Sequence, residues 1–371
     1  MNGQWIGPYA GTNSGLLVVE LDDVGDHYEG YAYAYDNNPS LPSVIGTVDF
    51  VPKTKTHFKR RVSLVPIDRQ SGDIMNEEAV KKRYPGVTIP HYADTEWRIV
   101  EKGLSIKWVT DAATSGQGFV SRGNADKPSE LAALTDVTTW NDFKQYASQL
   151  TPYAAMFRGQ ENNKWRLRTS FHRTGRAALP RFLTQDVNAL QRHLSGLTTH
   201  RFNLADPLDN AAFYHLVQHH GYPTPLLDWT SSPFIAAYFA YRNLRSSNIL
   251  VDQKVRILIF EGMQWNAAFQ KASVLNPGFL HLTILEPLAI NNPRAVPQQS
   301  LSLVTNIDDI ETYIRQRELD SGNTYLRAID LPAIERKQVM RELSLMGVNG
   351  GTLFPGLDGA CEQLRERFFD L

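Results

Sequence analysis

GLLVVELDDVGDHYEGYAYAYD, at positions 15–36, decides the fold of the first third of the chain. It consists of two short runs in which apolar residues alternate with polar or small ones, and Val24-Gly25-Asp26 separates them. A period of two with glycine and aspartate between the runs is typical of antiparallel β structure. The stretch therefore predicts two neighbouring strands rather than helices.

Further alternating runs extend this pattern on the C-terminal side, at 58–68, 96–111 and 116–122. EEAVKKRYPG (77–86) alone has a helical pattern, and it stops at a Pro-Gly pair. Residues 1–122 are therefore expected to form a small antiparallel β-sandwich or barrel with one helical insertion.

A change of composition follows. GNADKPSELAALTDV (123–137) is poor in aromatic residues and rich in Gly, Pro, Ser and Asp, which indicates a linker. From 138 to 371 the pattern is mixed, so the fold class is predicted to be α+β. The helices are expected at 139–150, 186–202, 210–221, 231–244, 308–319 and 331–347. MFRGQ (156–160) followed by WRLRTSF (165–171) predicts a strand and a turn, and further strands are expected at 255–262, 282–288 and 300–305.

Charge and cysteine content limit the possible partners and compartments. The 38 Lys and Arg residues nearly balance the 39 Asp and Glu residues, so nucleic acid is a possible partner only through a local basic patch. Cys361 is the only cysteine, which favours a reducing compartment. The N-terminus lacks the pattern of a signal peptide, and no window approaches 18 apolar residues. We expect a cytoplasmic protein without a membrane span.

FRGQ, at 157–160, is the first segment that could bind a ligand. Arg158 beside Gly159 could present a fixed guanidinium to a phosphate while the chain approaches it closely. A salt-bridged or solvent-facing arginine before a turn would have the same sequence.

The second candidate segment is QHHGYPTPLLDWTSSPFIAAYFA (218–240). His215 and His219 are four residues apart on a predicted helix, as in some zinc sites, but no glutamate follows His215 as in HExxH and no third ligand is evident. Packed or capping histidines are favoured, and no metal is predicted. Asp228 is interpreted as an organiser of the helix that follows.

Four ordered strings together resemble the FRG domain family, named for its Phe-Arg-Gly motif. They are FRGQ, the 218–240 string, NPRAVPQQ at 292–299 and RELSLMGVNGGTLFPGLDG at 341–359, and the resemblance covers roughly 138–365. Pro225 stands where the family usually has an arginine. The resemblance implies a bacterial or phage protein linked with toxins or antiphage defence.

A more distant similarity to the R-S-E arrangement of ADP-ribosyltransferases implies NAD as the substrate. Glutamine occupies the place of the carboxylate in that arrangement, and Glu286 on the preceding predicted strand is the alternative carboxylate. The similarity assigns Arg158, Thr230 and Gln298 to catalysis and Arg158, Gly159, Ser231, Trp229 and Tyr238 to NAD binding.

Three hypotheses follow from the sequence. The protein acts on NAD, by ADP-ribosyl transfer or glycohydrolysis, as an effector, toxin or defence factor. Alternatively, the same pocket binds a nucleotide or a nucleic-acid end without turnover. In the third, the chain is a scaffold, in which the β domain recognises a macromolecular target.

Overall fold

The computed structural model describes residues 1–272 and 278–370, and it consists of a β-barrel followed by a helix-covered sheet. Each barrel strand pairs antiparallel with the next, and β8 pairs with β1, so the barrel has no open edge. The barrel strands are β1 (Gly3–Gly11), β2 (Ser14–Asp23), β3 (His27–Asp36), β4 (Ser43–Pro52), β5 (His57–Ile67), β6 (Tyr92–Val100), β7 (Gly103–Thr110) and β8 (Ser115–Arg122).

The predicted antiparallel β structure is confirmed, and it is a barrel rather than a sandwich. The single run predicted at 96–111 is two strands, since the chain turns between Val100 and Gly103. The predicted helical insertion corresponds to α1 (Glu77–Arg83), between β5 and β6, which Asn76 caps by accepting a hydrogen bond from the Ala79 amide.

A six-stranded antiparallel sheet forms the centre of the second part, in the order β12-β13-β10-β9-β11-β14. Short β9 lies in the middle of this sheet, between β10 and β11. The strands are β9 (Met156–Gln160), β10 (Leu226–Thr230), β11 (Lys254–Phe260), β12 (Leu282–Leu285), β13 (Ser300–Thr305) and β14 (Leu326–Pro332).

Helices of the described residues cover this sheet, which confirms the α+β class. Single 3-10 or π turns occur at Ser246–Asn248, Ala333–Glu335, Phe182–Asp186 and Glu366–Asp370. The helices are α2 (Trp140–Ser148), α3 (Ser170–Arg173), α4 (Leu179–Arg181), α5 (Val187–Leu194), α6 (Pro207–His219), α7 (Pro233–Tyr241), α8 (Gly262–Ala268), α9 (Ile310–Ser321), α10 (Arg336–Leu345), α11 (Gly350–Leu353) and α12 (Leu357–Arg365). No helix of residues 1–272 and 278–370 has both the length and the apolar character needed to cross a bilayer.

The strand predicted at 156–160 is β9, and the turn predicted after it is confirmed. Residues 165–171 are held by ion pairs with the loop after β13: Arg166 Nε lies 2.9 Å from Asp309 Oδ1 and pairs with it. The helix predicted from 331 starts only at 336, because Leu331 belongs to β14 and pairs with Val255 of β11.

Helix α7 is buried on nearly every side, as its apolar sequence predicts. It starts at Ser232, whose hydroxyl accepts a hydrogen bond from the Ile235 amide at 3.3 Å, and Pro233 occupies the first turn. Its small residues Ala236 and Ala240 face β9, so the helix and the strand approach each other closely.

The outer face of the barrel is fastened to the second part through β1 and β2. Asp22 accepts hydrogen bonds from the amides of Ala177 and Ala178, at 2.7 and 3.1 Å. Gln4 donates to Glu20 at 3.0 Å and to the Asn306 carbonyl at 2.6 Å. These contacts bury Glu20 completely between the two parts.

The pH dependence of stability is expected to report on Glu20. Burial raises the pKa of Glu20 to about 8, against the opposing effect of the hydrogen bond from Gln4. Between the unfolded pKa and about 8 the folded chain holds one more proton than the unfolded chain, so stability falls as pH rises. From pH 6.5 to pH 8 we expect Glu20 to contribute a loss of about 1.5 kcal/mol in the free energy of unfolding, measured by urea denaturation as the difference between the wild type and Glu20→Gln.

Glu20→Gln is expected to abolish this loss, whereas Glu101→Gln, on the exposed β6–β7 turn, should retain it. Burial lowers the pKa of His172 and of His215 to about 4, so in this pH range they titrate only in the unfolded chain; the small gain in stability that results is the same in the wild type and in both variants. An undiminished loss in Glu20→Gln would show that another group is responsible.

Candidate functional site

A cleft of about 340 Å³ lies beside the middle of the sheet. Arg158 enters it from β9 and Thr230 from β10, and Gln298 enters it from the turn before β13. The three predicted catalytic residues therefore lie in one cleft, although they come from segments up to 140 residues apart.

Arg158 has unused hydrogen-bonding capacity. Its Nη1 donates to the Asp228 carbonyl oxygen at 2.5 Å, and its Nε is buried with no partner within the described part of the chain. Burial lowers the pKa of Arg158, and the negative charge of the Asp228 carboxylate opposes part of this effect. A guanidinium has five N–H donors, so a buried one without a partner is costly unless a ligand accepts from it.

Asp228 is a cleft residue, and the interpretation of it as an organiser of the following helix is wrong. Its Oδ2 accepts a hydrogen bond from Gln218 at 3.2 Å, and its Oδ1 is buried without a partner among the described residues. Thr230 and Ser232 organise the start of α7 instead, since the Ser232 amide donates to the Thr230 hydroxyl at 3.1 Å.

The turn before β13 is tied to the end of β10. The Thr230 hydroxyl donates to the Gln298 carbonyl at 2.8 Å, and the Ser231 hydroxyl donates to Gln299 Oε1 at 2.9 Å. Gln298 Nε2 in turn donates to the Leu353 carbonyl at 2.9 Å. One N–H of the Gln298 amide is thus committed to the fold.

Some of the residues predicted to bind NAD are not presented to the cleft. Tyr238 is fully buried and donates to Glu366 at 2.5 Å, and Ser231 lies outside the lining. Trp229 borders the cleft but is 2 % exposed and packs on Phe260. Gly159 also borders it.

Glu286, the alternative carboxylate, is exposed after β12 and is not part of the cleft lining. Its position leaves Asp228 and Glu161 as the carboxylates that border the cleft. Of these two, Asp228 is the carboxylate whose charge raises the pKa of Arg158.

One comparison with known proteins finds a family that includes the residues of the cleft on β9 and β10. Residues 153–248 match the family model of the FRG domain. The chain contains an FRG domain. The match includes β9, β10 and α7, which carry Arg158, Asp228 and Thr230, whereas Gln298 lies beyond it.

The remaining comparisons add little. No curated protein matches the chain. A solved structure described as a redesigned beta barrel is 7% identical, over 33% of this chain and 90% of that chain, with a TM-score of 0.23. None of these comparisons supports the distant similarity to ADP-ribosyltransferases, which stays a prediction.

Arg242, Arg294 and Phe354 also line the cleft, and of these Arg242 and Phe354 were missed in the sequence. The Arg242 guanidinium carbon lies 4.3 Å from the Phe354 ring centroid, and that of Arg294 lies 5.5 Å from it. Arg294 and Phe354 belong to the NPRAVPQQ and TLFP strings, so the family resemblance contained a signal for them. Arg242 and Arg294 add two positive charges to the cleft, and Arg242 pairs with Glu362.

A second cavity of about 750 Å³ adjoins the cleft of the FRG domain. The two cavities share Arg158, Gly159, Glu161 and Phe239 as lining residues. The second cavity contains several cations and one indole that is half exposed. These residues are Lys127, Lys164, Arg173 and Trp165.

The two histidines of α6, His215 and His219, form hydrogen bonds to uncharged side chains. Their ring centroids are 4.2 Å apart, and burial lowers the pKa of His215 to about 4. His215 contacts the Ser300 hydroxyl at 2.9 Å, and His219 contacts Asn292 at 2.9 Å. Within residues 1–272 and 278–370, no group of three His, Cys, Asp or Glu side chains is arranged to hold a metal ion.

Proposed function

We propose that the FRG domain binds a phosphate-bearing dinucleotide, NAD or its ADP-ribose portion, with the phosphates at Arg158. One observation carries the proposal: Arg158 stands where the two cavities meet, and its buried Nε has no partner among the described residues. A dinucleotide has two nucleoside lobes joined by a diphosphate, so a pair of cavities with a guanidinium between them suits its shape.

The chemistry of the guanidinium supports a phosphate at this point. Its planar fork of donors matches two phosphate oxygens, and hydrogen bonds between charged partners are roughly twice as strong as neutral ones. A bound phosphate would supply the acceptor that Arg158 Nε lacks. Lys127, Lys164 and Arg173 would contribute further attraction from the second cavity.

The expected result of a binding experiment is that ADP-ribose binds the intact chain and that Arg158→Lys weakens the binding about 30-fold, because lysine keeps the charge but loses the fork. Isothermal titration calorimetry measures both affinities. Lys102→Arg, on the exposed β6–β7 turn, is the matched control and should bind as the wild type does.

Adenosine, which lacks phosphate, should bind at least about 100-fold more weakly than ADP-ribose, if two charge-assisted hydrogen bonds to phosphate carry the affinity. Equal affinity for adenosine and ADP-ribose would contradict the phosphate role of Arg158. Equal binding by wild type and Arg158→Lys would contradict its position in the site.

Cleavage of the nicotinamide glycosidic bond is the second candidate function, and Asp228 favours it. Its unpartnered Oδ1 puts negative charge beside the guanidinium that would hold the diphosphate. A carboxylate there would stabilise the positive charge that develops on the ribose as the bond breaks. Water would add to ribose C1′, nicotinamide would leave with the bonding electron pair, and one proton would be released.

The biological role follows from the resemblance to FRG-domain proteins. We propose a cytoplasmic effector of the toxin or antiphage defence type, in which the barrel recognises a macromolecular target. The firm attachment of the barrel to the FRG domain through Asp22 and Gln4 supports a role in which the two act as one body.

A further inference from the structure

The barrel contains a cavity of about 180 Å³ at one end. Four connections border this end, at 12–13, 37–42, 68–91 and 111–114. The other end is filled by large buried side chains, including Val51, Phe58 and Leu104. The cavity is therefore confined to one half of the interior.

Small residues leave this half unfilled. The interior of an eight-stranded barrel is just wide enough for side chains to fill it, or for one small ligand. Ala32 and Ala34 of β3 and Gly46 of β4 line the cavity, where larger side chains would close it. The space is thus set by residue size on two adjacent strands.

The walls of the cavity are apolar and partly aromatic. Leu17, Val62 and Ile106 supply aliphatic surface, while Trp97 and Trp108 supply indole surface. Aromatic walls of this kind favour a flat aromatic ligand, which can stack on a ring face or meet its edge.

Several polar groups in the walls already have hydrogen-bond partners. The Tyr9 hydroxyl donates to Asp36 at 3.0 Å, and Trp97 Nε1 donates to the Thr95 hydroxyl at 2.8 Å. Thr95 in turn donates to the Arg60 carbonyl at 2.7 Å. The charged group among these is the Asp36 carboxylate, and it already accepts a hydrogen bond from Tyr9. The cavity therefore suits an uncharged molecule.

We propose that the barrel binds a small, flat, uncharged aromatic molecule of one or two fused rings. An apolar cavity of roughly 150 Å³ inside a protein binds benzene, so 180 Å³ accommodates a molecule slightly larger than one ring. This site is separate from the cleft of the FRG domain and does not depend on the dinucleotide proposal.

Indole is the probe that tests the proposal, titrated into the intact chain by isothermal titration calorimetry. One equivalent is expected to bind with a Kd of about 0.1–1 mM, in line with its small size. Ala34→Leu fills the cavity and should weaken binding at least about tenfold. The matched control is Ala10→Leu, the same change on the exposed outer face of β1, which should bind indole as the wild type does.

Absence of saturable binding to the wild type up to about 5 mM indole would overturn the proposal, whatever the variants do. Equal binding by wild type and folded Ala34→Leu would also overturn it, because the probe would then lie elsewhere. If circular dichroism shows that Ala34→Leu is unfolded, Ala32→Leu takes its place in the same comparison.

Discussion

Asp228→Asn is expected to lower the rate of nicotinamide release from NAD about 100-fold or more, while ADP-ribose affinity changes by less than about threefold. The substitution keeps the size of the side chain and an oxygen that can accept the hydrogen bond from Gln218, so the cleft should keep its shape. What it removes is the negative charge that would stabilise the developing cation on the ribose. Chromatography of the released nicotinamide measures the rate.

Glu286→Gln is the matched control for this prediction. It makes the same change at an exposed carboxylate that does not line the cleft, so the rate should stay at the wild-type value. An unchanged rate in Asp228→Asn would remove Asp228 from the mechanism. If the wild type releases no nicotinamide but still binds ADP-ribose, the FRG domain binds without turnover.

Gly159→Ala is expected to lower the free energy of unfolding by about 3 kcal/mol or more, or to prevent folding. A Cβ atom on Gly159 would lie 1.9 Å from the Ala236 carbonyl oxygen and 2.7 Å from the Ala240 amide nitrogen. Both are backbone atoms of α7 and cannot move aside like a side chain. Urea denaturation followed by circular dichroism measures the loss.

The matched control is Gly196→Ala, in the exposed turn after α5, where an added Cβ meets nothing within 4 Å. Its effect should stay within about 1 kcal/mol, because alanine mainly restricts the unfolded chain there. Similar losses at the two positions would show that contact with α7 is not the reason for glycine at 159.

The glycine of the FRGQ string therefore has a structural explanation that its sequence did not suggest. We expected Gly159 to let the chain approach a ligand, and it does border the cleft. The closest atoms to its missing side chain, however, belong to α7. A tripeptide cannot show which neighbour requires glycine, because that neighbour is about 80 residues away in the chain.

The elements that the sequence predicts best are those with a strong local pattern. The alternation in 15–36 appears in the structure as β2 and β3, and the Ser-Ser-Pro start of α7 is a true helix start. Local pattern failed at 331, where the predicted helix start is the end of β14. It also missed β14, whose pairing with β11 is a tertiary contact.

Convergence of Arg158, Thr230 and Gln298 on one cleft follows from the order of strands in the sheet, which periodicity does not reveal. The distant similarity to ADP-ribosyltransferases supplied these three residues, and β10 lies between β9 and β13 to bring them together. Asp228 was misinterpreted because β10 is buried on both sides of it, so no alternation marks the face toward the cleft.

A crystal structure of the intact chain with ADP-ribose is the most direct measurement of the dinucleotide site. We predict that the diphosphate lies within about 3 Å of the Arg158 guanidinium, with one nucleoside lobe in each of the two adjoining cavities. ADP-ribose bound at a place that does not contact Arg158 would contradict the account.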